Sequence, residues 1–224
     1  MQYEVKGGNL PVVLIKLEQG ERVTCESGAM AWMDRGIRME TEGGGIGKMF
    51  GRAFTGESLM LNHYTAERAG EIAFNSSFPG SIKVVEVTSE KPVIAQKGAF
   101  LASCGNINMS VHFQKKIAGG FFGGEGFLMQ KFEGNGLVFL EIDGSAIEYE
   151  LQPGESKVVD TGYLAMMDAT VSLDIETVKG VKNVLFGGEG FFNTVLTGPG
   201  KIVLQTMPIS GTASAIARYI PKSN

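Results

Sequence analysis

The string FGGEGF at Phe122–Phe127 recurs letter for letter at Phe186–Phe191, an offset of 64 (186 − 122). Other landmarks keep the same spacing. Gly98 matches Gly162, Gly136 matches Gly200, and Ile107, Met109 and Val111 match Val171, Leu173 and Ile175. A register held over such a length marks a duplication without insertions. A more diverged copy lies upstream, where SGAMAWMDRGIRMET (Ser27–Thr41) aligns with KGAFLASCGNINMSV (Lys97–Val111) at an offset of 70. That offset falls to 68 where Gly56 aligns with Gly124, and to 66 where Gly70 aligns with Gly136. The first copy therefore carries two small insertions. The strings VVLIKL (Val12–Leu17), IKVVEV (Ile82–Val87) and AIEYEL (Ala146–Leu151) open units at about 12–81, 82–145 and 146–209, with a tail over 210–224.

Within each unit the pattern is strand, turn, strand. Ile107, Met109 and Val111 alternate with Asn108, Ser110 and His112, the period of two expected of a half-buried strand. Runs such as GLVFLEI (Gly136–Ile142) and GKIVLQT (Gly200–Thr206) are aliphatic and bounded by Asn135-Gly136 and Pro199-Gly200, which read as turns. The 32 glycines in 224 residues follow no triplet spacing and lie among apolar runs, so they suit turns and bulges rather than collagen or disorder. The expected class is all-β. After Ser210-Gly211, TASAIARYI (Thr212–Ile220) favours a short C-terminal helix that ends at Pro221.

A unit of about 64 residues buries only about 60% of its unfolded surface and is marginal alone. Units side by side share cores and pair their edges, but an open array still leaves two strand borders bare. Chains are therefore expected to associate edge to edge as a homo-oligomer, a trimer being the simplest assembly that continues the internal pattern.

Composition narrows the function classes. A net charge of −4 gives no overall attraction to phosphate backbones, which disfavours nucleic acid as a partner. Two cysteines, Cys25 and Cys104, make no disulfide framework and fit a reducing compartment. The first residues, MQYEVKGGNLPVVLIKL, lack a basic segment followed by an apolar one, and no apolar run reaches the ~20 residues of a membrane span. The expected location is the cytoplasm, at most peripheral to a membrane.

The strings Ser27–Met33, Lys97–Ser103, Thr161–Met167, Gly56–Ser58, Phe122–Phe127 and Phe186–Phe191, taken together over Met1 to Met207, resemble the Altered Inheritance of Mitochondria protein twenty-four family, in its bacterial and archaeal branch. The resemblance implies three tandem modules like the tryptophan RNA-binding attenuation protein, a short relative of the double-stranded β-helix, with chains associating as trimers. It carries over no catalytic residues. The N-terminus is not the Arg- and Ser-rich transit type, so a mitochondrial location does not transfer.

Several motifs invite chemistry. GGGIGKMFGR (Gly43–Arg52) has Glu42 and Met49 where a phosphate loop needs Gly and Ser or Thr, so it reads as a hairpin loop. His63 and His112 stand at non-equivalent places in different units, too few for a metal site, and no cofactor or catalytic residue is expected. Glu57, Glu125 and Glu189 are the repeated polar positions, the nominated ligand-binding residues. A ring of such carboxylates could hold a cation; alternatively Gly-Glu-Gly forms a bulge whose Glu caps backbone N–H groups. Lys48 and Phe50, Lys115, Lys116, Phe121 and Phe122, and Lys182 and Phe186 pair cations with aromatics beside glycines, a pattern that fits docking on a partner or an anionic membrane surface. The competing reading buries the aromatics and leaves the lysines solvated. The expected function is a non-catalytic binding or scaffold module, with an RNA-binding ring or a peripheral membrane-docking module as alternatives.

Overall fold

A computed structural model describes residues 1–41, 61–115, 126–177, 192–217 and 219–220. Among the described residues, seventeen strands, all paired antiparallel, two short 3-10 turns and one α-helix near the C-terminal end make an all-β architecture. The first opening string forms a strand in which every second residue turns to the core. In β2 (Val12–Leu17) the residues Val13, Ile15 and Leu17 are buried while Lys16 is exposed.

Corresponding stretches make corresponding pairs. β2 pairs with β7 (Gly70–Asn75), β8 (Gly80–Val87) with the C-terminal half of β11 (Phe127–Asp143), and β12 (Ala146–Leu151) with β17 (Gly200–Gln205). In these pairs Leu17 faces Gly70, Val87 faces Gly136 and Leu151 faces Gly200. The next strands inward, β3 (Arg22–Glu26), β9 (Val93–Gln96) and β13 (Ser156–Asp160), pair with β6 (Leu61–Ala66), the N-terminal half of β11, and β16 (Phe192–Thr197). Each then runs through a turn at the Gly28, Gly98 or Gly162 position into β4 (Met30–Met33), β10 (Phe100–Lys115) or β14 (Leu164–Asp168). A one-residue bulge falls at the same place in all three, at Ala31, Leu101 and Ala165. β5 (Ile37–Thr41) and β15 (Ser172–Thr177) return on β6 and β16. β1 (Gln2–Lys6) lies against β2.

The turn expected at Asn135-Gly136 is not there. β11 runs straight through these residues, opposite Asn106 and Gly105 of β10. The reason is steric. A Cβ on Gly136 would run into the Cys104 carbonyl oxygen, and Gly105 across from it sits at φ +88°, so only glycine lets the two backbones pass at that point. Asn135 instead holds the β8–β9 connection, its side chain bonding the Ser89 N–H and hydroxyl at 3.4 and 3.1 Å.

Two seams join the parts. β3 pairs with β10, setting Cys25 opposite Ala102, Thr24 opposite Ser103 and Val23 opposite Cys104. β9 pairs with β14, setting Ala95 opposite Met166, Ile94 opposite Met167 and Val93 opposite Asp168. Each core draws on a neighbouring stretch of chain across these seams. The first contains Phe139 and Leu101 among residues 13–74; the second takes in Met166 and Val203; the third, around Leu164 and Leu196, takes in Ile94, Phe127 and Met129. The helix α1 (Ile209–Ala217) begins ahead of the expected start at Thr212. Asp143 accepts a hydrogen bond from the Ile209 N–H at 2.8 Å, and the Pro208 carbonyl accepts from Gly211 and Thr212.

Candidate functional site

The nominated carboxylates Glu57, Glu125 and Glu189 lie outside the described residues, as do Lys48, Phe50, Lys116, Phe121, Phe122, Lys182 and Phe186. Lys115 closes β10, its backbone opposite Phe127. The described residues instead present a polar cleft, which sequence reasoning did not single out, and a pair of apolar sheet borders, whose residues it did not name.

The cleft, of about 400 Å³, opens where strand ends from all three parts of the chain meet. Glu26 and Gln96 stand at corresponding ends of β3 and β9, while Glu141 and Gln205 occupy corresponding places on β11 and β17. Glu141 is buried. One of its carboxylate oxygens accepts from the Ser77 and Phe78 N–H groups at 3.0 Å each and from the Ser77 hydroxyl at 2.8 Å. Gln205 accepts from the Asp143 N–H at 3.1 Å and donates to the Gly162 carbonyl at 2.9 Å and the Gln96 side chain at 3.3 Å. Asp143 completes the group; burial above all pushes its carboxyl up from the ordinary range, against the pull of the Ile209 N–H. Glu26, Lys97 and Ser210 are engaged as well. Carboxylates and amides here satisfy backbone donors and one another, which locks the strand ends together.

The cysteines are buried, and desolvation pushes both thiols up to about 12, so neither behaves as a nucleophile. His63 takes a 2.9 Å hydrogen bond between its Nδ1 and the Thr24 hydroxyl. His112 is pulled below its usual range by burial and by the Lys131 charge. Among the described residues no group of three or more His, Cys, Asp or Glu is placed to hold a metal ion. No described helix is long and apolar enough to cross a membrane.

The borders belong to β4 and β13. Among the described residues β4 pairs only with β7, and β13 only with β16. Trp32 is 52% exposed and Met33 37%, while their counterparts Ala102, Ser103, Met166 and Met167 are all buried at the seams. Val158 is 60% exposed where its counterpart Ile94 is fully buried. Two bare borders were expected from sequence, and the offsets of 70 and 64 point to the residues that line them. Apolar residues stand at a position whose partner strand is supplied, in the middle of the chain, by the preceding or following stretch.

The fold and the cleft define an all-β protein of paired antiparallel sheets, with a polar junction that is structural in its described contacts. Residues 3–207 match the family described as mitochondrial biogenesis AIM24, and the chain belongs to that family. It is 29% identical over 223 residues to an uncharacterised protein of Streptococcus pyogenes serotype M6, covering 96% of this chain and 88% of that one. A crystal structure of a Streptococcus pyogenes protein superposes with a TM-score of 0.83 at 25% identity, over 98% of this chain and 99% of the other. That likeness agrees with the antiparallel all-β architecture.

Proposed function

We propose that this protein is a non-catalytic, homo-oligomeric scaffold or binding module. It consists of three tandem repeats like the tryptophan RNA-binding attenuation protein, at 12–81, 82–145 and 146–209. The sequence register and the thrice-repeated strand pairing support the repeats. The observation that carries the oligomer is the exposure of Trp32, Met33 and Val158 at two strand borders unpaired among the described residues. Bare apolar edges favour self-association, and covering them with a further copy removes the hazard without new machinery. The polar side chains of the described cleft hold backbone donors and one another, which fits a junction that supports a presented surface.

A trimer is the simplest assembly that continues the internal threefold pattern. Light scattering on the purified full chain tests this directly. The expected mass is three times the 23.9 kDa of one chain, independent of concentration in the micromolar range. A mass of one chain at working concentration would sink the reading.

A further inference from the structure

The cleft where the three stretches meet holds bonding capacity that joining the strands does not use. Glu141 is only 8% exposed, and the donors of Ser77 and Phe78 all fall on one of its carboxylate oxygens. Its other oxygen accepts no bond from a described residue. Asp143, two residues on along the same face of β11, is arranged alike. One of its oxygens takes the Ile209 N–H, and the other takes nothing from a described residue. Both residues line the cleft. Among the described residues Gln130 Oε1 is the one side-chain polar atom both sealed from solvent and without a partner. The two unengaged carboxylate oxygens are therefore open to the cleft.

Gln130 points to the same shortage. It lies two residues along β11 from the cleft-lining Leu128, on the same face, and its amide oxygen is a buried acceptor with no donor. Buried acceptors without donors are rare and costly, so this part of β11 is short of N–H groups.

The charge and shape of the cleft say what would supply them. Three carboxylates line it, those of Glu26, Glu141 and Asp143, against the single ammonium of Lys97, which disfavours an anion. A bare metal ion would want more ligands, since no described group of three or more His, Cys, Asp or Glu is placed to hold one. An alkylammonium brings one positive charge and three donors, with no acceptor of its own to satisfy. Ala99, Leu128 and Ile209 offer its aliphatic stem an apolar wall. The volume of about 400 Å³ falls in the range of small-molecule sites.

We propose that this cleft binds a primary alkylammonium group, its N–H donors shared between Glu141 and Asp143 and its stem lying along Leu128 and Ile209. The chemistry is common to a free aliphatic amine and to a lysine side chain. The cleft is built within one chain, so this assignment goes beyond the oligomeric reading, and either can fail without the other.

Titration calorimetry of the full chain with n-pentylamine at neutral pH tests it. Pentylamine should bind at millimolar concentration or below, and added salt should weaken it. The alcohol 1-pentanol has the same stem without the charge and should neither bind nor compete. Nα-acetyl-lysine amide, titrated in parallel, separates the two sources: binding tighter than pentylamine assigns the cleft to a lysine side chain, and weaker binding assigns it to a free amine. Asp143→Asn and Glu141→Gln each keep an oxygen for the backbone donors they hold. Each should bind pentylamine at least about tenfold more weakly, with circular dichroism and thermal melting checking the fold. Asp174→Asn, which removes an exposed carboxylate that does not line the cleft, should leave the affinity unchanged. No heat from either amine would overturn the proposal. So would equal binding of 1-pentanol, or an unaltered affinity in either folded cleft variant. If a cleft variant fails to fold, the contrast between pentylamine and 1-pentanol on the unaltered chain still decides.

Discussion

The middle of the chain and its two ends are written in corresponding sequence, yet the middle strands run unbroken and the outer ones do not. β10 and β11 form one hairpin of 16- and 17-residue strands. At the corresponding place near the N-terminal end, β6 stops at Ala66 and β7 starts at Gly70; toward the C-terminal end, β16 stops at Thr197 and β17 starts at Gly200. The interruption lets the outer parts divide between sheets, β2 and β7 in one and β3, β6 and β5 in another, as β13, β16 and β15 separate from β12 and β17. The unbroken hairpin instead carries β3 of the first stretch along one flank and β8 and β9 of its own stretch along the other, and β9 in turn pairs with β14. Position along the chain decides the role. The middle stretch has neighbours on both sides and becomes the splice, while β4 in the first stretch and β13 in the last are each paired on one side only among the described strands.

If the middle hairpin is the splice, its large side chains should matter most. Phe139 is fully buried, sits in the first core among residues from the preceding stretch, and meets Tyr3 edge to face at 5.4 Å between centroids. Its counterparts are the smaller Ala73 and Val203. Phe139→Ala should cost about 3–5 kcal/mol in urea unfolding, and Val203→Ala about 2 kcal/mol. Equal losses would break the comparison, since they would mean that the middle copy carries no extra share of the joint.

The glycines sharpen it at a finer scale. At Gly136 an added Cβ meets the backbone oxygen of Cys104, whereas at the corresponding Gly70 the nearest atom is the Asp34 side-chain Cβ at 3.2 Å. Backbone in a paired strand has little room to move, and a surface side chain yields more easily. Gly136→Ala should therefore lower stability by about 1–3 kcal/mol, with Gly70→Ala clearly milder. Gly98→Ala, with nothing within 4 Å of the added carbon, should be neutral or stabilising by up to about 1 kcal/mol. Differential scanning calorimetry of the three variants decides the order.

These glycines also mark where sequence was readable and where it was not. VVLIKL and AIEYEL coincide with β2 and β12 from end to end, because a short run of strand-favouring apolar residues is a local signal. Asn135-Gly136 carries the same local signal as a turn, and Gly105 on the opposing strand overrides it, a pairing that propensity does not register. The helix was legible in kind. Its start was not, since Asp143 anchors it from the end of β11. The cleft was hidden for a similar reason: Glu26, Gln96, Glu141 and Gln205 converge only after three stretches of chain have paired. The residues nominated from sequence were chosen for glycine-flanked charge and aromatic content, and those marks carry no information about the strand ends and borders that form the described sites.

Asp143 offers the smallest test and the one most specific to the middle copy, because its counterparts Ser77 and Met207 do not titrate. Burial is the main reason its carboxyl binds a proton more tightly folded than unfolded, with Glu141 adding in the same direction. A group of this kind supports the fold fully below its unfolded pKa, near 3.8, and that support is lost as pH rises through the folded value. Stability should thus fall with rising pH just above that point, by at most about 1.4 kcal/mol per pH unit for a single proton. In Asp143→Asn the amide oxygen can still accept from the Ile209 N–H, but nothing there ionises, so the difference from the unaltered chain should grow across this window and then level off. Parallel urea titrations between pH 3.5 and 7 would show it. A constant difference over the whole range would mean that Asp143 is as well solvated as a surface carboxylate, and that the junction where β11 meets α1 is open to water.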